Sequence, residues 1–208
     1  ERIRKPEPST ADRQRVAVAM AKAPLVERHE YLEQRGLDAA TLADPRFRGM
    51  VRQDTRGNAL FPHYDREGLS GYELKNDGFT GFSRGGSKSL WHSTNLGRER
   101  RLIVTESAID ALSHAQLYPD PEDAYVSIGG QPSPEQWQLI ESALQKAQER
   151  GATVIVGTDA DTAGEQLAVW LEELTPGAER QRPHGKDWNE QLEEQHQQQR
   201  QRGPSLSM

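Results

Sequence analysis

The chain of 208 residues contains no cysteine, which removes disulfides and thiolate-bound zinc from the ways it could be held together. It also lacks any apolar run near the ~20 residues that a membrane-spanning helix needs. No secretory leader is recognisable at its start, so cytoplasmic residence is expected. Aromatic residues make up only 6% and hydrophobic residues 34% of the chain, and mean hydropathy is -0.88. Such a composition buries a modest core and leaves part of the length for a polar tail. The length suffices for one ordinary domain and a smaller companion. Glu1 rather than Met opens the sequence, which suggests a piece of a longer polypeptide.

Charge is present but uneven. Residues 1–101 carry 19 Lys and Arg against 14 Asp and Glu, whereas residues 102–208 carry 7 against 18. An acidic half that gathers cations beside a mildly basic half that holds phosphates suits a nucleic-acid enzyme. Arg-rich surfaces are common, however, and charge alone decides nothing.

Periodicity divides the chain into four. Residues 1–45 read as a helical support: a linker to about residue 10, helical patterns over 12–22 and 24–34 with Gly36 as C-cap, and a short helix at 38–42. Residues 46–100 form a small basic β-rich module, with apolar runs at 59–64, 69–74 and 79–82. Asp65-Arg66-Glu67-Gly68 and Asn76-Asp77-Gly78 lie between those runs and supply turn chemistry, so an antiparallel meander is expected. Its Lys75, Arg84 and Lys88 are candidates for gripping nucleic acid or nucleotide. The loop Arg84-Gly85-Gly86-Ser87-Lys88 could approach a phosphate backbone closely, although an ordinary hairpin loop reads the same way.

From residue 101 to 195, strands at 102–106, 124–128 and 152–158 alternate with helices near 107–117, 134–149 and 162–174, with a weaker strand near 178–182. The fold class is therefore α/β, a parallel sheet covered by helices on both faces. Residues 196–208 are Gln- and Arg-rich, then Gly-Pro-Ser, and read as a disordered tail.

Two strand ends carry the chemistry. Asp159-Ala160-Asp161 follows the run Thr153-Val154-Ile155-Val156-Gly157-Thr158, and paired carboxylates there can aim into one crevice. Anions that close repel unless a cation lies between them. With no Cys or His nearby, a hard ion, Mg2+ or Mn2+, is the natural choice. The alternative is that Asp161 merely caps the helix beginning at Thr162. Glu106 ends the strand Leu102-Ile103-Val104-Thr105 in the same topological place, so neighbouring strands would bring all three acids around one site. Asp110, one turn into the following helix, is expected to be solvated. His63, His92 and His184 lack ligand spacing and read as packing or surface residues. Trp188 reads as core, with base stacking as the alternative.

Thr105-Glu106-Ser107, Ile128-Gly129-Gly130 and Thr158-Asp159-Ala160-Asp161-Thr162-Ala163-Gly164 together resemble the Toprim domain of bacterial primases, topoisomerases and related nucleases. Lys186-Asp187-Trp188-Asn189-Glu190 is similar to the K-D-x-N element that closes this domain in primases and primase-helicases. Residues 58–91 resemble the β-rich module that precedes Toprim in primase-like proteins of plasmids and mobile elements, some fused to relaxases. Ser107 departs from the glycine that many members carry after the glutamate, which suits the mobile-element branch.

The resemblance implies catalytic roles for Glu106, Asp159, Asp161 and Lys186, with metal held by Glu106, Asp159, Asp161 and Asp187. It implies close phosphate approach at Gly129, Gly130 and Gly164, and a turn cap at Asn189. The implied activity is Mg2+-dependent primer synthesis on single-stranded DNA from ribonucleoside triphosphates, with relaxase or replication proteins as partners and no membrane. DNA cutting by the same acids and a non-catalytic nucleic-acid-binding module are the alternatives. A topoisomerase is disfavoured, because a strand-passage domain does not fit this length.

Overall fold

The computed structural model describes residues 9–202. Helix α1 (Thr10–Lys22) opens on a capping box: Ser9 Oγ accepts the Asp12 N–H while the Asp12 carboxylate accepts the Ser9 N–H. The expected linker thus lies almost wholly outside the described residues. The second expected helix shortens to α2 (Glu30–Gln34). Pro24 and Leu25 instead pair with the chain beyond: Leu25 bridges to Arg52, and the Pro24 carbonyl accepts the Gln53 N–H. Helix α3 (Ala39–Ala43) and a 3-10 turn at Pro45–Phe47 complete the support.

Strands β1 (Arg52–Gln53), β2 (Ala59–Asp65), β3 (Gly68–Asn76) and β4 (Phe79–Phe82) form an antiparallel sheet in chain order. The chain reverses where turn residues were expected, with Gly68 and Gly78 at positive φ. A second sheet takes the order β5-β7-β6-β8-β9, from β5 (Trp91–His92), β6 (Arg101–Thr105), β7 (Asp123–Ser127), β8 (Thr153–Val156) and β9 (Glu179–Arg180). Only β5 is antiparallel, on the outer edge of β7. The helices are α4 (Ala108–Leu117), α5 (Pro134–Glu149), α6 (Thr162–Leu174) and α7 (Trp188–Arg202).

Alternation along the parallel strands feeds two cores. Ile103, Tyr125 and Ile155 face α4, Leu192 of α7, and the support residues Leu32, Leu37 and Phe47, with Phe61 of β2 in the same cluster. Val104, Val126, Val154 and Val156 face Ile140 and Leu144 of α5 and Ala168 and Leu171 of α6. Each such side chain contributes about 1.5–3 kcal/mol when fully buried. The first core crosses the expected boundaries at 45 and 100, so the three regions are fixed to one another by shared packing.

The expected tail from 196 is helical as far as Arg202, and residues 203–208 lie outside those described. The Asp187 carboxylate accepts the Glu190 N–H to start this helix, Leu192 anchors it, and Gln and Arg propagate it well. Among the described residues no helix is long and apolar enough to cross a membrane.

Candidate active site at the carboxyl edge of the parallel sheet

Strands β6 and β8 are neighbours in register, Val104 opposite Val156, so they deliver their following loops side by side. The Asp159 N–H donates to Glu106 Oε1 at 3.1 Å, which holds the loop carrying Asp159 and Asp161 against Glu106. Gly164 makes the approach feasible. A Cβ there would stand 2.3 Å from the Asp159 carbonyl oxygen and 2.7 Å from Glu106 Oε1. Gly129 and Gly130, with φ of 72° and 92°, turn both their N–H groups onto the Glu106 carbonyl at 2.8 and 3.0 Å. They brace the glutamate from behind.

Asp161 does cap α6, accepting the N–H groups of Ala163 and Gly164 at 3.0 Å through Oδ1. The capping alternative is therefore correct as far as it goes, but it leaves the charge beside Glu106, whose pKa it raises. Burial is the larger cause of that rise, and the Asp159 N–H, Arg180 and Lys186 oppose it. Asp159 is the most perturbed of the acids. Burial, then Asp110, Glu106, Asp187 and Asp161 push it up to about 8. Its Oδ1 is buried and accepts no hydrogen bond.

Asp110 is not solvated. It is buried in α4 facing the same cluster, with its pKa raised to about 6 chiefly by burial, while its hydrogen bond to Ser107 Oγ acts the other way. Asn189 caps no local turn: its Nδ2 donates to the Arg35 carbonyl at 2.7 Å and to Ser113 Oγ at 3.0 Å, tying α7 to the support and to α4. Trp188 is buried and donates its indole N–H to the Gly157 carbonyl at 2.7 Å, so base stacking is excluded. His63 is also buried, its Nδ1 2.8 Å from the Ser89 carbonyl.

Lys186 is exposed, and its carbonyl accepts the Ala160 N–H at 2.8 Å. Asp187 spends one oxygen on the α7 cap yet still raises Asp159 and Asp110. Arg180 was not anticipated from the sequence. Its guanidinium donates to the carbonyls of Val156 (2.9 Å) and Asp159 (3.2 Å) and to Glu165 (2.8 Å), clamping the D-x-D loop to β9. Of the basic candidates, Lys88 lies against the double glycine, its Nζ 3.6 Å from where a Gly130 Cβ would be. Lys75 stands 3.6 Å from Glu73 and opposes the rise at Asp110. Arg84 is exposed on a loop whose Gly85 abuts Asp12 of α1, and it makes no contact with the acids among the described residues.

Five carboxyl groups thus share one edge with little direct pairing. An oxygen-only donor set and a buried, unengaged Asp159 Oδ1 fit a hard divalent ion. No three acid or histidine side chains among the described residues are already arranged as a cage, so binding would require the side chains to rearrange.

A parallel α/β sheet with acids from adjacent strands at its carboxyl edge defines the class. Residues 103–192 match the family described as Toprim-like. Residues 30–99 match a family described as "protein of unknown function (DUF3991)". No curated protein matches the chain.

Solved structures do match. The primase fragment of the bacteriophage T7 primase-helicase is 21% identical, with a TM-score of 0.51 over 82% of this chain and 72% of that one. A chain in the assembly of T7 lagging-strand DNA polymerase with primase domains of two gp4 subunits bound to an RNA/DNA hybrid and dTTP is 19% identical, with a TM-score of 0.55 over 84% and 90%. The RNA polymerase domain of Mycobacterium tuberculosis primase DnaG, in complex with a double-stranded DNA oligomer bearing a 6-nucleotide overhang, is 15% identical, with a TM-score of 0.52 over 90% and 80%. At these identities the likeness establishes a shared fold over most of the chain.

Proposed function

We propose that this chain is the catalytic core of a metal-dependent primase-type nucleotidyltransferase that joins ribonucleoside triphosphates on single-stranded DNA. The observation that carries the reading is the convergence of Glu106 with Asp159, whose pKa is pushed up to about 8 by burial and surrounding acids. Such a site repels its own charge until a cation enters. Kinship of fold with primases supports the choice of reaction.

Asp159, Asp161, Asp110 and Asp187 would hold Mg2+ or Mn2+, and the bound ion would neutralise charge on the transferred phosphoryl group. Glu106, raised by burial, is suited to accept the proton of the attacking 3′-hydroxyl as its oxygen bonds to the α-phosphorus and pyrophosphate departs. Lys186 at the acid edge, and Lys88 and Lys75 on the facing β-module, would grip the triphosphate. Gly129 and Gly130 let the Lys88 side chain lie close over the Glu106 loop. Arg180 holds the Asp159 loop in place. A setting in a plasmid or other mobile element, with a relaxase or replication protein as partner, rests on the sequence of residues 58–91.

The test is incubation with single-stranded DNA, labelled ribonucleotides and Mg2+ or Mn2+. The expected result is short RNA primers, lost in Glu106→Gln and Asp159→Asn. Shortened DNA would replace this reading with the nuclease alternative. Neither product, or primers made by both variants at the parental rate, would overturn the assignment.

A further inference from the structure

An open cleft of about 380 Å3 lies away from the acid edge, where α5 passes the β2–β3 turn and the edge strand β5. Its volume falls within the roughly 300–1,000 Å3 typical of ligand sites. Helix α5 builds one wall with a single stripe, Leu139, Ser142, Ala143 and Lys146, continued by its C-cap Arg150. The small Ser142 and Ala143 in mid-stripe leave the hollow. Leu90, Leu96 and Val126 give an apolar floor, and the rings of Tyr64 and His92 meet at 5.1 Å beside it. Burial holds His92 below its ordinary pKa, so the ring is uncharged near neutral pH.

The rim is cationic on both sides: Arg66 on the turn, Lys146 and Arg150 on the helix. The one acid lining the cleft, Asp65, is engaged by Arg13 at 2.6 Å. Arg150 is partly committed to the buried Glu99. Arg66 and Lys146 are exposed and stand in no ion pair among the described residues. An apolar, ring-lined floor between two positive walls matches a flat aromatic group flanked by phosphates.

We infer that this cleft is a second nucleic-acid site, which seats one unpaired base of single-stranded DNA against Tyr64 and His92 with its neighbouring phosphates on Arg66 and Lys146. Cations on opposite walls favour a strand crossing the cleft over a free nucleotide, whose phosphates extend to one side only. The choice of DNA as ligand rests on the proposed function. The cleft lies beyond β7 from the acid cluster, so it would hold template remote from the reacting phosphate.

The probe is a single-stranded oligonucleotide of about 10 nucleotides carrying 5-iododeoxyuridine, read by fluorescence anisotropy and by photo-cross-linking. The double variant Arg66→Glu/Lys146→Glu, with melting matched to the parent, should bind about tenfold more weakly, with a salt slope shallower by about 1.4 for two lost contacts. Ser142→Trp fills the hollow without touching a charge and should abolish cross-links to Tyr64. Parental affinity in the double variant, or an unchanged cross-link in Ser142→Trp, overturns the site. An excess of ATP that removes the Tyr64 cross-link as efficiently as unlabelled strand overturns the preference for a strand. Primers made by a parent that never cross-links at Tyr64 would sink this inference alone. Cross-links at Tyr64 without primers would sink the proposed reaction alone.

Discussion

The two ends of the parallel sheet treat buried carboxylates in opposite ways. At the amino end, Asp123 is fully buried, and Arg101 meets it with two hydrogen bonds of 2.6 and 2.7 Å, while Arg46 covers its carbonyl. At the carboxyl end, Asp110 is buried and Asp159 half-buried, with no guanidinium on either carboxylate among the described residues, and Arg180 spends its donors on backbone and on Glu165. A fold able to neutralise Asp123 so completely does not leave Asp159 bare for want of arginine. One end is closed by the chain itself, and at the other the proposed function calls for a cation from solution.

Four experiments break or sharpen this contrast. The largest effect belongs to Glu106→Gln, which removes the proposed proton acceptor and should lower primer synthesis about a thousandfold with the melting temperature retained. A loss below tenfold would remove Glu106 from the chemistry. Next, Arg101→Ala should cost about 3 kcal/mol in denaturant unfolding by stranding the Asp123 charge, while activity per folded molecule persists. If activity fell as far as stability, the two ends would not be separable.

Gly164→Ala should cost about 1–3 kcal/mol by overpacking, and it should weaken Mn2+ binding because the new methyl displaces the Asp159 loop. Normal metal affinity would show that the loop has slack. The last effect is with pH. Asp159 titrates near 8 when folded, against an ordinary value of 3.8, so the metal-free fold binds its proton more tightly than the unfolded chain does. Stability should therefore be greatest below about pH 4 for this group and decline as pH rises to about 8. Asp159→Asn should flatten that decline, as should saturating Mg2+. A melting profile that rises over the interval would contradict the crowding of acids.

The strand-end acids were legible because an apolar run followed at once by Asp or Glu and then a helical pattern fixes both element and edge. The meander was legible from its turns. Asp110 was missed, although the sequence held a clue: it lies four residues after Glu106 among Ala108, Ile109, Ala111 and Leu112, an acid within a stripe otherwise fit for a core. Its burial depends on α7, whose Asn189 N–H reaches Asp110 Oδ1 across 79 residues of sequence, a distance that periodicity cannot span. Arg180 was hidden because a two-residue strand leaves almost no pattern. The length of α7 was missed because Gln-rich composition reads as tail until the Asp187 cap and the Leu192 anchor are seen. Membership of 30–45 in the same core as the Toprim helices was likewise invisible, since it arises from packing between elements far apart in the chain.

The double glycine that grips the Glu106 carbonyl has a practical corollary. Because the amides of Gly129 and Gly130 hold the carbonyl, the side chain can be exchanged for one that still accepts the Asp159 N–H while its scaffold stays put. Under the proposed function, a glutamine replacement then makes a faithful decoy, suited to freezing a template and nucleotide in place for crystallography.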